Sequence, residues 1–353
     1  MYTVERYNTI FDEKLKSHWE VLEKGEDMTA FQSYAWNCIL EKEFKSNFFK
    51  KVAGELCYFE LLDEGQPKLI AGFHIQKRTI KIGGFGYEKG IYFLGMRGYS
   101  DYLNFIYKDI NANMLNVLLQ AIFEYTKIAK IYLSQLPEAS KTNMLLQSGE
   151  VNFTLESDNE EVCVKLSIPE TPELFVSGMK KQFKQNYRTQ KHRYEREHIC
   201  LDYTLYQGCV QDREILACVK KLHKQRFKEK NKGNARIFFS SLIQRLKGHF
   251  DEIGHALKEV EHTWLLVGKI NNKVVSYIYG MSEENVLRIM QLGFDKKYAQ
   301  YSPGIMILIE AILNDFDSYR GKIIDFTRGE EAYKYRMGGV SHSIKAYTLY
   351  LQE

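Results

Sequence analysis

The stretch VLRIMQLGFDKKYAQYSPGIMILIEAILNDFDSYRGKIIDFTRGEEAYKYR, Val286 to Arg336, decides how this chain folds. Val286 to Leu292 reads as a β-strand, and Gly293-Phe294-Asp295 breaks it. A loop follows that ends in Tyr301-Ser302-Pro303-Gly304. Ile305, Leu308, Ile309 and Ile312 then recur at three- and four-residue steps, the spacing of a helix with an apolar face. Ile323 to Phe326 forms a second strand, followed by Arg328-Gly329. Ser302 is expected to cap the helix by accepting a hydrogen bond, Pro303 suits its first position, and Gly304 leaves room for a ligand to approach. Strand, tight loop and helix start make an anion site of the kind that holds a cofactor pyrophosphate, because unpaired amides and the helix dipole point at it. An ordinary buried αβ unit that binds nothing fits the same pattern.

Outward from that stretch, the chain of 353 residues exceeds the size at which one core usually keeps growing, so two domains are expected. With 44% hydrophobic and 27% charged residues, it has the composition of a soluble globular protein. No run of uncharged apolar residues is long enough to span a bilayer, and MYTVERYNTIFDEKLK lacks the marks of a signal peptide, so a cytoplasmic protein with no membrane span is expected. Cys38, Cys57, Cys163, Cys200, Cys209 and Cys218 show no metal-like spacing and read as free thiols, although Cys200 and Cys209 are close enough in sequence to bridge. Residues 1–165 carry 19 Lys and Arg against 23 Asp and Glu, the rest 30 against 22, so the C-terminal half is the one suited to an anion.

The chain also repeats itself. One hairpin runs from Leu56 to Leu62, turns at Asp63-Glu64-Gly65 and returns from Leu69 to Gln76. A second runs from Trp264 to Ile270, turns at Asn271-Asn272 and returns from Val274 to Met281. After the first come a strand (Ile91 to Leu94), a loop with Gly98 and Ser100-Asp101-Tyr102, a helix (Ala112 to Ile128) and a strand (Ile131 to Leu136). After the second comes the same order in Val286 to Phe326, which argues for a duplicated mixed α/β domain. Asp101 puts a carboxylate where an anion would sit, so the first copy is read as scaffold and substrate wall. Gly83-Gly84-Phe85-Gly86 opens no helix and reads as a turn. The prolines in Ile168-Pro169-Glu170-Thr171-Pro172 place the division between domains at 1–168 and 169–353.

Lys180 to Arg196, KKQFKQNYRTQKHRYER, puts Lys180, Lys184, Arg188 and Lys191 along one face of a long helix. Three readings fit: a solvated flank, a wall facing a phosphorylated or acidic substrate, and a nucleic-acid contact, the last without any recognised motif.

Phe31-Gln32-Ser33-Tyr34-Ala35-Trp36, Ser100-Asp101-Tyr102, the basic helix, Gly293-Phe294-Asp295, Tyr301-Ser302-Pro303-Gly304, Asp325-Phe326-Thr327-Arg328-Gly329-Glu330 and Tyr333-Lys334-Tyr335-Arg336 together resemble the tandem-GNAT acyltransferases. The resemblance is to the cellulose-biosynthesis (CelD-like) acetyltransferase branch and, more distantly, to the Fem-type peptidyltransferases. It implies an α/β (α+β) chain of two tandem GNAT-like domains, each a twisted mixed sheet flanked by helices. Acyl-coenzyme A would be the co-substrate, bound at the splayed strands of the second domain. The phosphate loop departs from the family's glycine-rich pattern, since Gln300 to Gly304 keeps the helix entrance but few glycines.

By that resemblance, Gln291, Leu292 and Gly293 hold the acyl group, and Tyr301, Ser302, Pro303 and Gly304 hold the pyrophosphate. Asp325 ends a buried-looking strand and needs a partner, for which Arg328 or Arg336 is available. It is read either as half of an ion pair or as the group that recognises or deprotonates the acceptor. Tyr333 offers a phenol for the leaving thiolate. Lys334 and Arg336, with Lys184 and Arg188 of the basic helix, are candidates for phosphate or carboxylate groups. Trp36 and Trp264 read as core, and His192, His198 and His223 as surface residues. No G-x-S-x-G, H-E-x-x-H or Walker lysine motif is present. The expectation is an acyltransferase that moves an acetyl or other acyl group to an amine or hydroxyl of a small-molecule or glycan-precursor acceptor: a sugar, nucleotide-sugar or amino-acid-like compound. An aminoacyl-tRNA-dependent transferase and a non-catalytic GNAT-fold binding module are the alternatives.

Overall fold

Fifteen strands are named here in chain order: β1 (Tyr2–Tyr7), β2 (Gly54–Asp63), β3 (Gln66–Gln76), β4 (Ile80–Ile82), β5 (Phe85–Tyr87), β6 (Gly90–Phe93), β7 (Lys130–Pro137), β8 (Phe153–Ser157), β9 (Glu161–Ser167), β10 (Leu201–Gln207), β11 (Thr263–Ile270), β12 (Lys273–Ser282), β13 (Val286–Phe294), β14 (Ile323–Arg328) and β15 (Val340–Leu351). They come from a computed structural model that describes residues 1–46, 51, 54–82, 85–96, 100–158, 160–230 and 252–351. Gly83, Gly84 and Gly98 lie outside the described residues.

Both hairpins form. Glu64 and Gly65 (φ 50° and 78°) turn β2 into β3, and Asn271 and Asn272 (φ 49° and 65°) turn β11 into β12. Two successive positive φ values define the turn whose twist matches that of its flanking strands, and Gly and Asn tolerate them best. In the first unit the strand order is β1-β2-β3-β6-β7-β15, with β8 on the far side of β15. Among the described residues there, β6 and β7 are the parallel pair, joined by the helix Ala112–Thr126. Asn111 Oδ1 accepts from Met114 N at 3.0 Å and caps that helix, and Leu115, Leu118, Leu119 and Ile122 bury its inner face against Phe73, Ile91 and Ile131. Each such side chain contributes about 1.5–3 kcal/mol by leaving water.

In the second unit the order is β9-β14-β13-β12-β11-β10, with β13 and β14 the parallel pair. The helix Pro303–Asn314 joins them and buries Met306, Ile307, Leu308, Ile309, Ala311 and Ile312, which is more than one face. Hairpin, strand, helix and parallel strand therefore occur twice in the same order, as the repeat predicts.

The partition between units is not a single cut. Among the described residues, 1–161 and those from Ser343 on form one unit, and 162–230 with 252–342 form the other. A break at 168/169 differs from this at both ends. Ile324 and Asp325 of β14 pair with Leu166 and Lys165 of β9, so β9 belongs to the second sheet. Ile344 to Tyr350 pair with Pro137 to Lys130 of β7, so β15 belongs to the first. The prolines mark a genuine loop, ended by Thr171 Oγ1 accepting from Leu174 N at 3.3 Å, but loop chemistry carries no information on which sheet a strand joins. Cys200 and Cys209 flank the seven-residue β10 at opposite ends, about 23 Å apart at strand rise, which excludes a bridge between them. Among the described residues, no helix is long and apolar enough to cross a membrane.

Candidate active site

Strands β13 and β14 pair over three residues only: Val286 with Ile323, Leu287 with Ile324 and Arg288 with Asp325. Beyond that point the ladder stops. The register of β13 against β12 also shifts, since Gly280 faces Ile289 while Tyr279 faces Gln291. Thr327 Oγ1 donates to Ile289 O at 2.9 Å, which satisfies the first carbonyl past the fork. Further along, Arg226 donates to the Leu292 carbonyl. In an antiparallel pair a residue directs its N–H and C=O to the same side. Asp295 N donates to Val275 O of β12 at 2.7 Å, so alternate residues of this strand face β12, and Leu292 faces away from it into the opening. Of the three residues expected at the acyl group, Leu292 is the one whose backbone donor is turned that way.

The loop after β13 is a 3₁₀ helix, Lys296–Tyr301, whose start is capped by Asp295 Oδ1 accepting from Lys297 N at 3.1 Å. Ser302 ends it in the left-handed region (φ 49°, ψ 44°) and makes no side-chain cap bond, contrary to the expectation of an N-cap. An N-cap requires extended backbone, and Ser302 is committed instead to closing the 3₁₀ turn through its N–H to Ala299 O at 3.0 Å. Ser302→Ala is therefore expected to change the unfolding free energy by less than about 0.5 kcal/mol, where a lost cap costs about 1 kcal/mol, as read by urea denaturation. Pro303 occupies the first helical position as expected. Gly304 has a packing reason to lack a side chain that was not read from sequence: a Cβ there would lie 2.8 Å from Leu292 Cδ2 of the strand behind it.

The helix Lys181–Arg196 buttresses this loop. Arg193 Nη1 donates to Gln300 O at 2.5 Å and Tyr194 Oη to Tyr301 O at 2.8 Å, while Tyr301 Oη donates to Glu197 Oε2 at 2.8 Å. Lys184 Nζ donates to Ser177 O at 3.2 Å and Lys191 lies 3.4 Å from Glu310, so two members of the predicted basic row serve the helix's own surroundings. Arg188 is exposed.

Asp325 is wholly buried, and a partner that the sequence reading did not offer, Arg288, holds it. Arg288 Nη1 donates to its Oδ2 at 2.6 Å and Thr327 N to its Oδ1 at 2.8 Å. Arg288 in turn holds Glu283 through Nε (2.7 Å) and Nη2 (2.9 Å). Lys334, a candidate for a phosphate or carboxylate group, is engaged within the protein. It is buried, with Nζ donating to the carbonyls of Phe326 (3.1 Å), Arg328 (2.9 Å) and Gly329 (2.9 Å) and pairing with Glu331 at 2.8 Å. An ammonium has three donors, and these four acceptors already outnumber them. Arg336 is exposed at the end of the short helix Ala332–Arg336, and its carbonyl accepts from Lys180 N. Arg328 closes β14 opposite Cys163.

Tyr333 packs edge-on to Phe326, with ring centroids 5.9 Å apart. Burial, and after it the nearby Glu331 carboxylate, pushes its phenol up to about 12, while Arg226 acts the other way. A phenol held there keeps its proton at neutral pH. Three further residues converge on the same region: Tyr277 and Arg226, which were given no role from sequence, and His223, which was read as a surface residue and is half-buried. Tyr277 of β12 lies with its ring against Gly293, where a Cβ would come 2.4 Å from Cε1. Its hydroxyl is 3.5 Å from Gln291 Oε1 and 3.2 Å from His223 Nδ1. His223 and Arg226 share one face of the helix Arg213–Lys230, a spacing of three visible in Leu222-His223-Lys224-Gln225-Arg226. That spacing was the available signal, but it gains meaning only when β12 and β13 are known to lie beneath it.

Residues 181–335 match the family model described as the acetyltransferase (GNAT) domain. The match supports an acyl-coenzyme A N-acyltransferase. It spans the fork, the loop and the helix start. No curated protein sequence matches the chain. Among solved structures, a conserved protein of unknown function from Bacteroides thetaiotaomicron is similar at 12% identity and a TM-score of 0.59, covering 99% of this chain and 100% of its own. FemX is similar at 12% identity and 0.59, covering 98% and 96%. The C-terminal domain of a putative lysylphosphatidylglycerol synthetase from Agrobacterium fabrum is similar at 10% and 0.53, covering 96% and 92%. At these identities the likeness is one of fold, and it extends over both units.

Proposed function

We propose that the second unit transfers an acyl group, in the first instance acetyl, from a coenzyme A thioester to an amine or hydroxyl of a small sugar-, nucleotide-sugar- or amino-acid-like acceptor. The carrying observation is the fork between β13 and β14, where Leu292 alone of the acyl-site trio turns its backbone polar groups away from β12. Its amide would hold the oxyanion that develops on the thioester carbonyl. Arg193, Lys296, Lys297 and the Gly304 amide at the start of the Pro303 helix would meet the phosphates of the co-substrate, supplying with side chains what the loop lacks in glycine. Tyr333 would give its proton to the departing thiolate. The first unit, with Asp101 at its corresponding loop, would serve as scaffold. A cytoplasmic location is part of the same reading.

Titration calorimetry with acetyl-coenzyme A is expected to give one-to-one binding that Lys296→Glu with Lys297→Glu abolishes. Unchanged binding in that double variant would remove the loop from the co-substrate site. The exposed outer side of the basic helix favours a second reading, in which the acyl donor is an aminoacyl-tRNA. Arg188→Glu should then weaken charged-tRNA binding steeply with salt while wild-type protein shows no heat with coenzyme A.

A further inference from the structure

We infer that Tyr194 is a positioning residue of the co-substrate loop: its hydroxyl holds the peptide between Tyr301 and Ser302 in the orientation that binding of the donor's pyrophosphate requires. This rests on the acyltransferase reading above. The helix Lys181–Arg196 is polar over most of its surface and buries two side chains, Phe183 and Tyr194. Packing accounts for the Tyr194 ring, which lies with Ile270, Val275 and Met306 in one apolar cluster and sits 5.6 Å from the Tyr301 ring at 33°. A phenylalanine would pack there as well. The hydroxyl is what packing leaves unexplained. A buried phenol needs an acceptor, and here the acceptor is a loop carbonyl 107 residues further on, Tyr301 O at 2.8 Å.

That carbonyl belongs to the peptide on which the loop turns into the Pro303 helix. The other end of the peptide, Ser302 N, donates to Ala299 O at 3.0 Å, so the peptide is tied on both sides. Ser302 follows it with φ 49°, a left-handed conformation that a residue with a Cβ disfavours. Turning the peptide over would carry Ser302 back to negative φ and relieve that strain, so local preference works against the observed loop. The tie to Tyr194 opposes it from outside the loop. What the tie protects is the helix start: Ser302 O accepts from Ile305 N (3.2 Å) and Met306 N (3.1 Å), and the Gly304 amide stands where those bonds put it.

Arg193 Nη1 takes the preceding carbonyl, Gln300 O, at 2.5 Å. Two successive carbonyl oxygens, each the negative end of a peptide dipole, are thus engaged by the helix and kept from a bound phosphate. Arg193 carries a charge that can also reach a phosphate itself. Tyr194 carries none at neutral pH, so its hydroxyl acts through the loop.

The test compares Tyr194→Phe with Tyr187→Phe in the full chain. Tyr187, on the same helix, gives its hydroxyl to Glu310 Oε1 at 2.7 Å, so the second variant loses an equivalent bond that does not touch the loop. Titration calorimetry with acetyl-coenzyme A is expected to show a Kd about 3–10-fold higher for Tyr194→Phe, the effect of one hydrogen bond, and a wild-type Kd for Tyr187→Phe. Thiol release with glucosamine as the probe amine should show the same rise in KM with kcat kept. S-acetylpantetheine, a thioester that ends before the pyrophosphate, should serve wild type and Tyr194→Phe equally. A Tyr194→Phe protein that binds acetyl-coenzyme A as wild type does overturns the assignment. So does a loss matched in Tyr187→Phe, or a defect of the same size with S-acetylpantetheine, since either makes Tyr194 a packing residue. A wild-type chain that does not bind acetyl-coenzyme A defeats the acyltransferase reading itself and this inference with it.

Discussion

Asp325→Ala is expected to lower the unfolding free energy by about 3–5 kcal/mol, measured by chemical denaturation. The carboxylate has no solvent exposure, and the Arg288 side chain that donates to it has 7%, so truncation would strand a buried guanidinium. Glu283 would remain on Arg288, but its own side chain is 24% exposed and cannot replace a fully enclosed partner. The amide of Thr327 would lose its acceptor as well. Asn at the same position keeps the shape and that amide bond while removing the charge, and should fall between wild type and Ala. The pairing of Arg288 with Asp325 is also the last rung before β13 and β14 separate, so the loss should loosen the fork itself. If Asp325→Ala were as stable as wild type and merely inactive, the ion-pair assignment would be wrong and a direct role in acceptor chemistry would regain its place.

The second large effect is catalytic. Tyr333→Phe should reduce kcat by about 10²–10⁴-fold, the range for loss of a positioned acid, with acetyl-coenzyme A binding and thermal stability close to wild type. Because burial raises the phenol to about 12, it is protonated throughout the neutral range and ready to donate. Wild-type activity should consequently show no alkaline decline from this group below pH ~11. A 4-nitrophenyl or other thioester with a more acidic thiol needs less help in leaving, so the defect should shrink with such a donor. A defect that is the same for every leaving group would point to packing against Phe326 instead.

Much of the second unit was legible because its signals are local. The Asn271-Asn272 turn, the Pro303 helix start and the apolar steps from Leu308 to Ile312 each depend on neighbours within a few residues. Ser302 was read at the right place and given the wrong work, and the packing of Gly304 on Leu292 was not seen, since a left-handed φ and the proximity of Leu292 come from the folded chain. Asp325 was recognised as a carboxylate in need of a partner, but Arg288 on the adjacent parallel strand was not foreseen as one. Lys334 looked like a phosphate ligand from composition; its carbonyl partners at Phe326, Arg328 and Gly329 appear only once the chain has folded back. His223, Arg226 and Tyr277 were hidden because no sequence spacing links a helix to a strand some 50 residues away.

The strand β15 has a consequence for biosynthesis. Tyr347 Oη donates to Asn143 Oδ1 at 2.6 Å, a residue made 204 positions earlier. The amino-terminal sheet thus waits with an unfilled slot between β7 and β8 while everything downstream is translated. Chaperone capture of nascent chains, or aggregation through that open slot, should be most pronounced in truncations ending just short of Ser343, although such fragments retain every residue discussed at the active site.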